Sequence, residues 1–255
     1  MLLLAHPGHE LLAYGLFAKH RVKVMVLTDG SGGSGQPRIA QTRALVTRLK
    51  GEMLEPSGCF TDSSFYNAIL AQDVGFFRTF VDRVETWLAS SLSESLICDA
   101  VEYYNPVHDL CSVIGRLAVK RRLHKGYAIN TYACPIVTNS SIGIFYEHII
   151  EGDVLSGKKR DISLVANLIS DLDDIINKHC LRADIERIVL ISPTSDLYPL
   201  PAEAPYYEEY GRRQIAKRGS GDLITYANHM RPLVDALERA EPSGCPSAKP
   251  HTDPA

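Results

Sequence analysis

Three histidines are the residues of this chain best suited to chemistry: His6 and His9 in Ala5-His6-Pro7-Gly8-His9-Glu10, and His108 in Tyr104-Asn105-Pro106-Val107-His108-Asp109. A neutral imidazole offers a nitrogen lone pair to a proton or a metal. Three of them meeting with room for a water make an open site of the catalytic zinc type. Such a donor set favours zinc over magnesium or calcium, which take oxygen ligands. A His-x-x-His pair alone is a weak signal, and placement is what singles this one out. Each group follows a short apolar run that reads as a strand, residues 1–5 and 96–101, and precedes a stretch of helical periodicity. Loops leaving the carboxyl ends of strands are where open α/β sheets hold their ligands.

The elements that must position these loops alternate. Residues 10–20 carry Leu11, Leu12, Leu16 and Phe17 at helical spacing, and residues 22–27 read as a buried strand. A glycine-rich loop over 28–37 leads into a helix over 38–50. Residues 73–90 form a longer amphipathic helix with Phe76, Phe77, Phe80, Val84, Trp87 and Leu88 on its apolar side. Residues 109–124 place Leu110, Val113, Ile114 and Leu117 on one helical face, with Asp109 near the helix start, where a negative side chain is favoured. Helices between strands imply parallel crossovers, so we expect an α/β fold with a Rossmann-like, mostly parallel sheet flanked by helices. Beyond about residue 135 the pattern keeps a helix over 162–178, a strand over 188–192 and a helix over 224–240. The proline- and tyrosine-rich segment 198–210 is expected to pack over the sheet as a C-terminal extension of one domain spanning 1–240. Residues 241–255 hold four prolines and no large apolar side chain, which predicts a disordered tail.

A chain of 255 residues, 45% hydrophobic and 22% charged, can bury a substantial core. A net charge of −3 does not steer it toward nucleic acid or an acidic membrane, and Lys120-Arg121-Arg122 reads as a solvated helix face. The five apolar residues before His6 are too few for a signal-peptide core or a membrane span, so a cytoplasmic protein is expected. Cys59, Cys98, Cys111, Cys134, Cys180 and Cys245 show no C-x-x-C pair and no regular spacing, which argues for reduced structural thiols. Cys111, three residues beyond His108, reads as a core residue rather than a ligand.

On these residues the chain resembles the PIG-L or LmbE-like zinc deacetylases, which remove acetyl groups from N-acetylglucosamine-type sugars. Ala5-His6-Pro7-Gly8-His9-Glu10 is similar to the family's Ala-His-Pro-Asp-Asp-Glu motif. Leu27-Thr28-Asp29-Gly30 is similar to its second-strand ending, and Asn105-Pro106-Val107-His108 to its second histidine motif, His-Pro-Asp-His. The chain also looks like a divergent branch with His-Pro-Asp-His-Glu and a terminal Tyr-Glu-x-Tyr-Gly segment, as in residues 207–211. The resemblance runs from residue 1 to about 238. It implies His6 and His108 as zinc ligands, with His9 standing where the family's second aspartate binds the metal. Imidazole in place of a carboxylate preserves a first-row metal site while raising its charge by one unit.

Two departures bear on catalysis. Gly8 stands where the family carries the aspartate that serves as general base, and such a base typically contributes about two to four orders of magnitude. Zinc would still acidify its water and polarise an acyl carbonyl. Glu10, Asp29 and Asp109 lie on or beside the same loops. Asp29, ending a neighbouring strand, is the preferred substitute; Glu10 and Asp109 read rather as caps or as hydrogen-bond partners of the ligating histidines. Asn105 and Val107 replace residues of the second motif, and Asn105 could donate to an oxyanion as other amides do. Tyr103 and Tyr104 could bring a phenol to the pocket, while Arg212, Arg213 and Lys217 could meet a phosphate or carboxylate on a sugar.

Residues 30–35 also satisfy G-x-G-x-x-G between a strand and a helix, the setting of a nucleotide site. That fingerprint normally follows the first strand, where the histidine motif sits here, so a wall of a sugar pocket is the better reading. The expected function is therefore zinc-dependent removal of an N-acyl group, commonly acetyl, from an amino sugar or related metabolite by attack of metal-bound water. An inactive metal- or sugar-binding member and a nucleotide or nucleotide-sugar binder are the alternatives.

Overall fold

The computed structural model describes residues 1–32, 35–91, 93–137, 144–166, 183–192 and 195–240. Its seven-stranded sheet contains β1 (Leu2–Leu4), β2 (Lys23–Val26), β3 (Glu52–Met53), β4 (Ser95–Asp99), β5 (Asn130–Cys134), β6 (Ile144–Ile149) and β7 (Ile185–Ile191), in the order β3-β2-β1-β4-β5-β7-β6. The first five strands run parallel, and β7 and β6 close the edge antiparallel. The mostly parallel sheet expected from the alternating pattern is present. Its antiparallel edge falls where the periodicity had weakened.

β1 explains why a run of three leucines can be a strand. Leu2, Leu3 and Leu4 are all buried, but they alternate: Leu3 joins a core with Met25, Leu96, Cys98 and Leu117, whereas Leu2 and Leu4 join Val24, Val26, Phe17 and Val46 on the opposite face. Helices on both faces leave no side of a central strand for water, so the sequence reads as continuously apolar. One face is covered by α4 (Val74–Ser90) and α5 (Pro106–His124), the other by α1 (Tyr14–Lys19) and α2 (Ile39–Arg48). Gly115 lets α5 approach: a Cβ there would lie 2.5 Å from Cys98 Sγ and 3.1 Å from Leu96 Cδ2.

Several element boundaries differ from the sequence reading. The segment after His9 begins as a 3-10 turn over His9–Ala13 before α1 starts. α5 begins three residues before Asp109, so His108 sits in the first helical turn rather than in the loop. Asn105 Oδ1 accepts from Val107 N–H and Pro106 occupies the first turn, which is N-terminal capping chemistry that moves the helix start upstream. α3 (Asp62–Leu70), β3, β5 and β6 carried no recognised periodic signal. The helix expected over 162–178 overlaps α6 (Gly152–Ala166), and residues 167–178 lie outside the described residues, as do 241–255. The strand near 188 is β7, which starts at Ile185. Residues 224–240 divide into a π-helical turn, Tyr226–Met230, and α8 (Arg231–Arg239). Within segment 198–210 Tyr198 is fully buried in the core, and α7 (Tyr206–Arg218) follows.

Connections leave β1 toward β2 and β3 on one side and reach β4 and β5 on the other. The chain order reverses between β1 and β4, which opens a crevice at their carboxyl ends. Both histidine groups empty into that crevice.

Candidate metal centre

His6 and His9 follow β1, and His108 opens α5 after β4. The three rings pack edge to face at centroid separations of 5.5 Å for His6–His9, 5.0 Å for His6–His108 and 4.7 Å for His9–His108. All three side chains are buried. Burial, and then the charges of His9 and His6, hold the His108 pKa well below its ordinary value, so the ring is a neutral lone-pair donor.

Partners set the tautomers of the first two rings. Thr28 Oγ1 donates to Ala5 O at 3.1 Å, so its 2.8 Å contact with His6 Nδ1 is one in which the ring N–H donates. Asp62 Oδ1 stands beside that N–H at 2.9 Å as an electrostatic partner. Burial opposes ionisation of Asp62, but His6 beside it, together with Thr28 and the Gly32 N–H, outweighs burial and holds the carboxyl well below its ordinary range. His9 Nδ1 lies 2.8 Å from Asp99 Oδ2, which also accepts the Ala5 N–H. With Nδ1 of His6 and His9 occupied, their Nε2 lone pairs remain for a ligand. Carboxylates holding the far nitrogen of ligating histidines are the usual outer partners of zinc.

Whether a metal suits this arrangement can be judged from the buried atoms. His6 Nε2 and His108 Nδ1 are both buried with no hydrogen-bond partner, as is Asp99 Oδ1. Among the described residues no group of three or more His, Cys, Asp or Glu side chains is placed so that it could hold a metal ion as it stands. The ring spacing nonetheless matches the separation of about 5 Å that three imidazoles adopt around one tetrahedral ion with a Zn–N bond of about 2.0–2.1 Å. An unpartnered buried nitrogen is costly, and a cation would satisfy it. The donor types present suit zinc, although the rings are not placed around one ion.

Asp62 and Asp99 escaped the sequence reading. Asp99 left one trace, a carboxylate at the end of an otherwise buried strand. Asp62 left none. An isolated parallel bridge between Thr28 and Phe60 delivers it, with Asp29 N–H donating to Phe60 O at 2.8 Å just before α3 begins. Replacing Asp99 by Asn removes the charge behind His9, and zinc affinity is expected to fall about 10- to 100-fold in a chelator competition. Unchanged affinity would show that His9 needs no tether.

The other nominated residues have definite places. Glu10 accepts Gly8 N–H and Thr42 Oγ1–H, both at 2.8 Å, and so clamps the loop; burial raises its pKa. Asp109 accepts Glu102 N–H, Tyr103 N–H and the Tyr198 hydroxyl, committing both oxygens, and burial pushes its carboxyl up to about 7. Glu102 caps Ile136 and Val137 N–H, and burial pushes it up to about 8. Tyr103 donates to Pro199 O at 2.6 Å. Asn105 directs Nδ2 toward Tyr66 OH at 3.5 Å. Burial, with the charge of Asp62 behind it, pushes Tyr66 up to about 12, so its phenol stays protonated. Arg212 is paired with Glu208 at 2.8 Å, and Arg213 lies 3.7 Å from Glu209. Cys111 is a core residue whose thiol donates to Leu3 O. Asp29 Oδ1 accepts Ser31 N–H.

Gly30 of the glycine-rich loop lies against the histidine motif. A Cβ on Gly30 would lie 2.7 Å from Pro7, inside the histidine motif. The loop's backbone donors are engaged within the protein: Gly30 N–H with Thr28, Ser31 N–H with Asp29, Gly32 N–H with Asp62 and Gly35 N–H with Ser31 O. Residues 33 and 34 lie outside the described residues.

The fold has solved counterparts. The chain is similar to the zinc-inhibited form of teicoplanin deacetylase Orf2, with a TM-score of 0.53 and 11% identity over 76% of this chain and 100% of that one. It is also similar to the A40926 pseudoaglycone deacetylase Dbv21, with a TM-score of 0.52 and 12% identity over 76% of this chain and 98% of that one. The fold is shared with these deacetylases. A triple mutant of the teicoplanin-pathway deacetylase matches equally, with a TM-score of 0.52 and 13% identity over 76% of this chain and 99% of that one. No family model matches the sequence, and no curated protein matches it.

Proposed function

We propose that this chain is a zinc-dependent hydrolase that removes an N-acyl group, typically acetyl, from an amino sugar or a related glycoside. The single observation behind this reading is the cluster of three buried imidazoles at the β1/β4 crevice, with His6 Nε2 and His108 Nδ1 unpartnered and the Nδ1 atoms of His6 and His9 held by Asp62, Thr28 and Asp99. The likeness in fold to deacetylases supports it.

His6, His9 and His108 would hold the ion, which supplies Lewis acidity toward water and the acyl carbonyl when bound. Asp62 and Asp99 keep the ligating nitrogens unprotonated and oriented. Asp29 is the base in this reading: Asp109 and Glu10 spend both oxygens on internal donors, Asp62 and Asp99 stand behind the ring nitrogens of His6 and His9, and Asp29, just past the end of β2, is held through one oxygen by Ser31 N–H. It takes a proton from the attacking water and returns it to the departing amine, so amide and water become amine and carboxylic acid. The Asn105 amide and the Tyr66 phenol, 3.5 Å apart, are the neutral donors this reading assigns to charge that develops on the acyl oxygen. Because the described N–H groups of residues 30–35 are engaged, they favour a substrate wall over a phosphate cradle.

The test is acetate release from N-acetylglucosaminides by the zinc-loaded protein. Turnover abolished in His108→Ala is expected. No acetate from zinc-loaded wild type would leave a binding protein on a hydrolase scaffold.

A further inference from the structure

Resting on that reading, we propose that Tyr206 and Tyr210 form a subsite for a second ring of the substrate, one with an apolar face, attached to the N-acylated sugar. Helical spacing puts Tyr206, Tyr210 and Arg213 on one face of α7, at positions i, i+4 and i+7. Tyr207, one residue on, faces inward and meets Tyr198 OH at 3.1 Å. The outer face is joined to the metal centre by Tyr104, whose ring lies 6.4 Å from His108 and stacks on Tyr206 at 4.8 Å with planes 5° apart. Tyr210 continues the row 6.2 Å beyond Tyr206, and the Arg213 guanidinium stands 5.5 Å over the Tyr206 ring.

The row continues from His108 through Tyr104 onto α7, where its members are partly exposed. Tyr206 is 40% exposed and Tyr210 50% exposed, an uncommon state for large aromatic side chains in a continuous stack. Tyr103, Tyr198 and Tyr226 form the inward counterpart, tied by hydrogen bonds to Pro199 and Asp109. The outer row therefore serves no core. A group linked to a sugar whose acyl nitrogen lies at the histidines would extend along it, and aromatic faces attract a pyranose C–H face or an aryl ring alike. Arg213 adds a cation over Tyr206, 3.7 Å from Glu209.

Three probes separate the possibilities: methyl, phenyl and N-acetylglucosaminyl (chitobiose) glycosides of N-acetylglucosamine, with Kd measured by calorimetry on zinc-loaded protein. Phenyl and disaccharide probes are expected to bind about three- to tenfold tighter than the methyl glycoside. Tyr206→Ala and Tyr210→Ala should erase that advantage, and Tyr206→Phe should retain it. Tyr146→Ala, on edge strand β6, is the control expected to behave as wild type. An advantage confined to the phenyl probe assigns the subsite to aryl groups, and one confined to chitobiose assigns it to sugars. Equal affinities, no binding of any probe, or an advantage that survives Tyr206→Ala overturns the proposal. Acetate release from the methyl glycoside without any ring preference would sink the subsite and leave the hydrolase standing. Ring-dependent binding that needs Tyr206, with no acetate released, would sink the hydrolase and leave the subsite.

Discussion

Protein purified under zinc-replete conditions is expected to carry close to one zinc ion per chain, and His6→Ala, His9→Ala and His108→Ala are each expected to lose it. Elemental analysis of the four proteins decides the matter. The expectation follows from the buried atoms: His6 Nε2 and His108 Nδ1 have no partner, and His9 is oriented by Asp99 rather than by solvent. Taking away one of three ligands leaves two, too few for a stable open site, so loss should be nearly complete rather than graded. A parallel gain supports the same conclusion. Ions that bind only the folded state stabilise it by mass action, about 2.7 kcal/mol when free metal is 100 times Kd, so zinc should raise the wild-type melting temperature and leave the variants unmoved. A wild type devoid of metal after zinc loading would remove the basis of the hydrolase reading.

The second large effect is expected at the base. With Asp29 as the working base, Asp29→Asn should lower deacetylation by about two to four orders of magnitude, and Gly8→Asp should restore part of it in that background. The structure adds a cost that the motif does not reveal. Gly8 has φ 103° and ψ −22°, a conformation glycine adopts freely and an aspartate adopts only under strain of about 1–3 kcal/mol. Its N–H is also held by Glu10 Oε2, so a new carboxylate would stand beside an existing one. Gly8→Asp in the wild-type background is therefore expected to melt several degrees lower without turning over faster, with kcat and Tm read on the same preparation. Faster turnover identifies an active site in which another group does the work slowly. Unchanged turnover with zinc retained, together with a loss of turnover in Asp29→Asn, identifies Asp29 as the working base. Unchanged turnover in both variants argues against either carboxylate.

Some of this was legible because the signals are local. The apolar runs of β1, β2 and β4 and the 3.6-residue periodicity of α2, α4 and α5 are properties of adjacent residues, and they place His6, His9 and His108 near strand ends without any knowledge of pairing. Short strands such as β3, with only Glu52 and Met53 paired to β2, have no period of their own to detect. The start of α5 was misplaced for a related reason: Asn105 and Pro106 are capping residues, whose signal is a hydrogen bond rather than a pattern of hydrophobicity.

The sequence by itself determined the donor types, an alternating α/β order and the absence of a carboxylate side chain at position 8. Only the tertiary structure decided which carboxylates serve the histidines. His9 meets Asp99 across 90 residues of chain, and His6 meets Thr28 across 22 and Asp62 through the bridge at Phe60. Those partners exist because parallel pairing of β1 with β2 and β4 brings three strand ends to one edge. Tyr104 and Tyr206 likewise meet only when α7 folds back over that edge. Contacts between distant segments are settled by sheet order and helix packing, which no local spacing encodes.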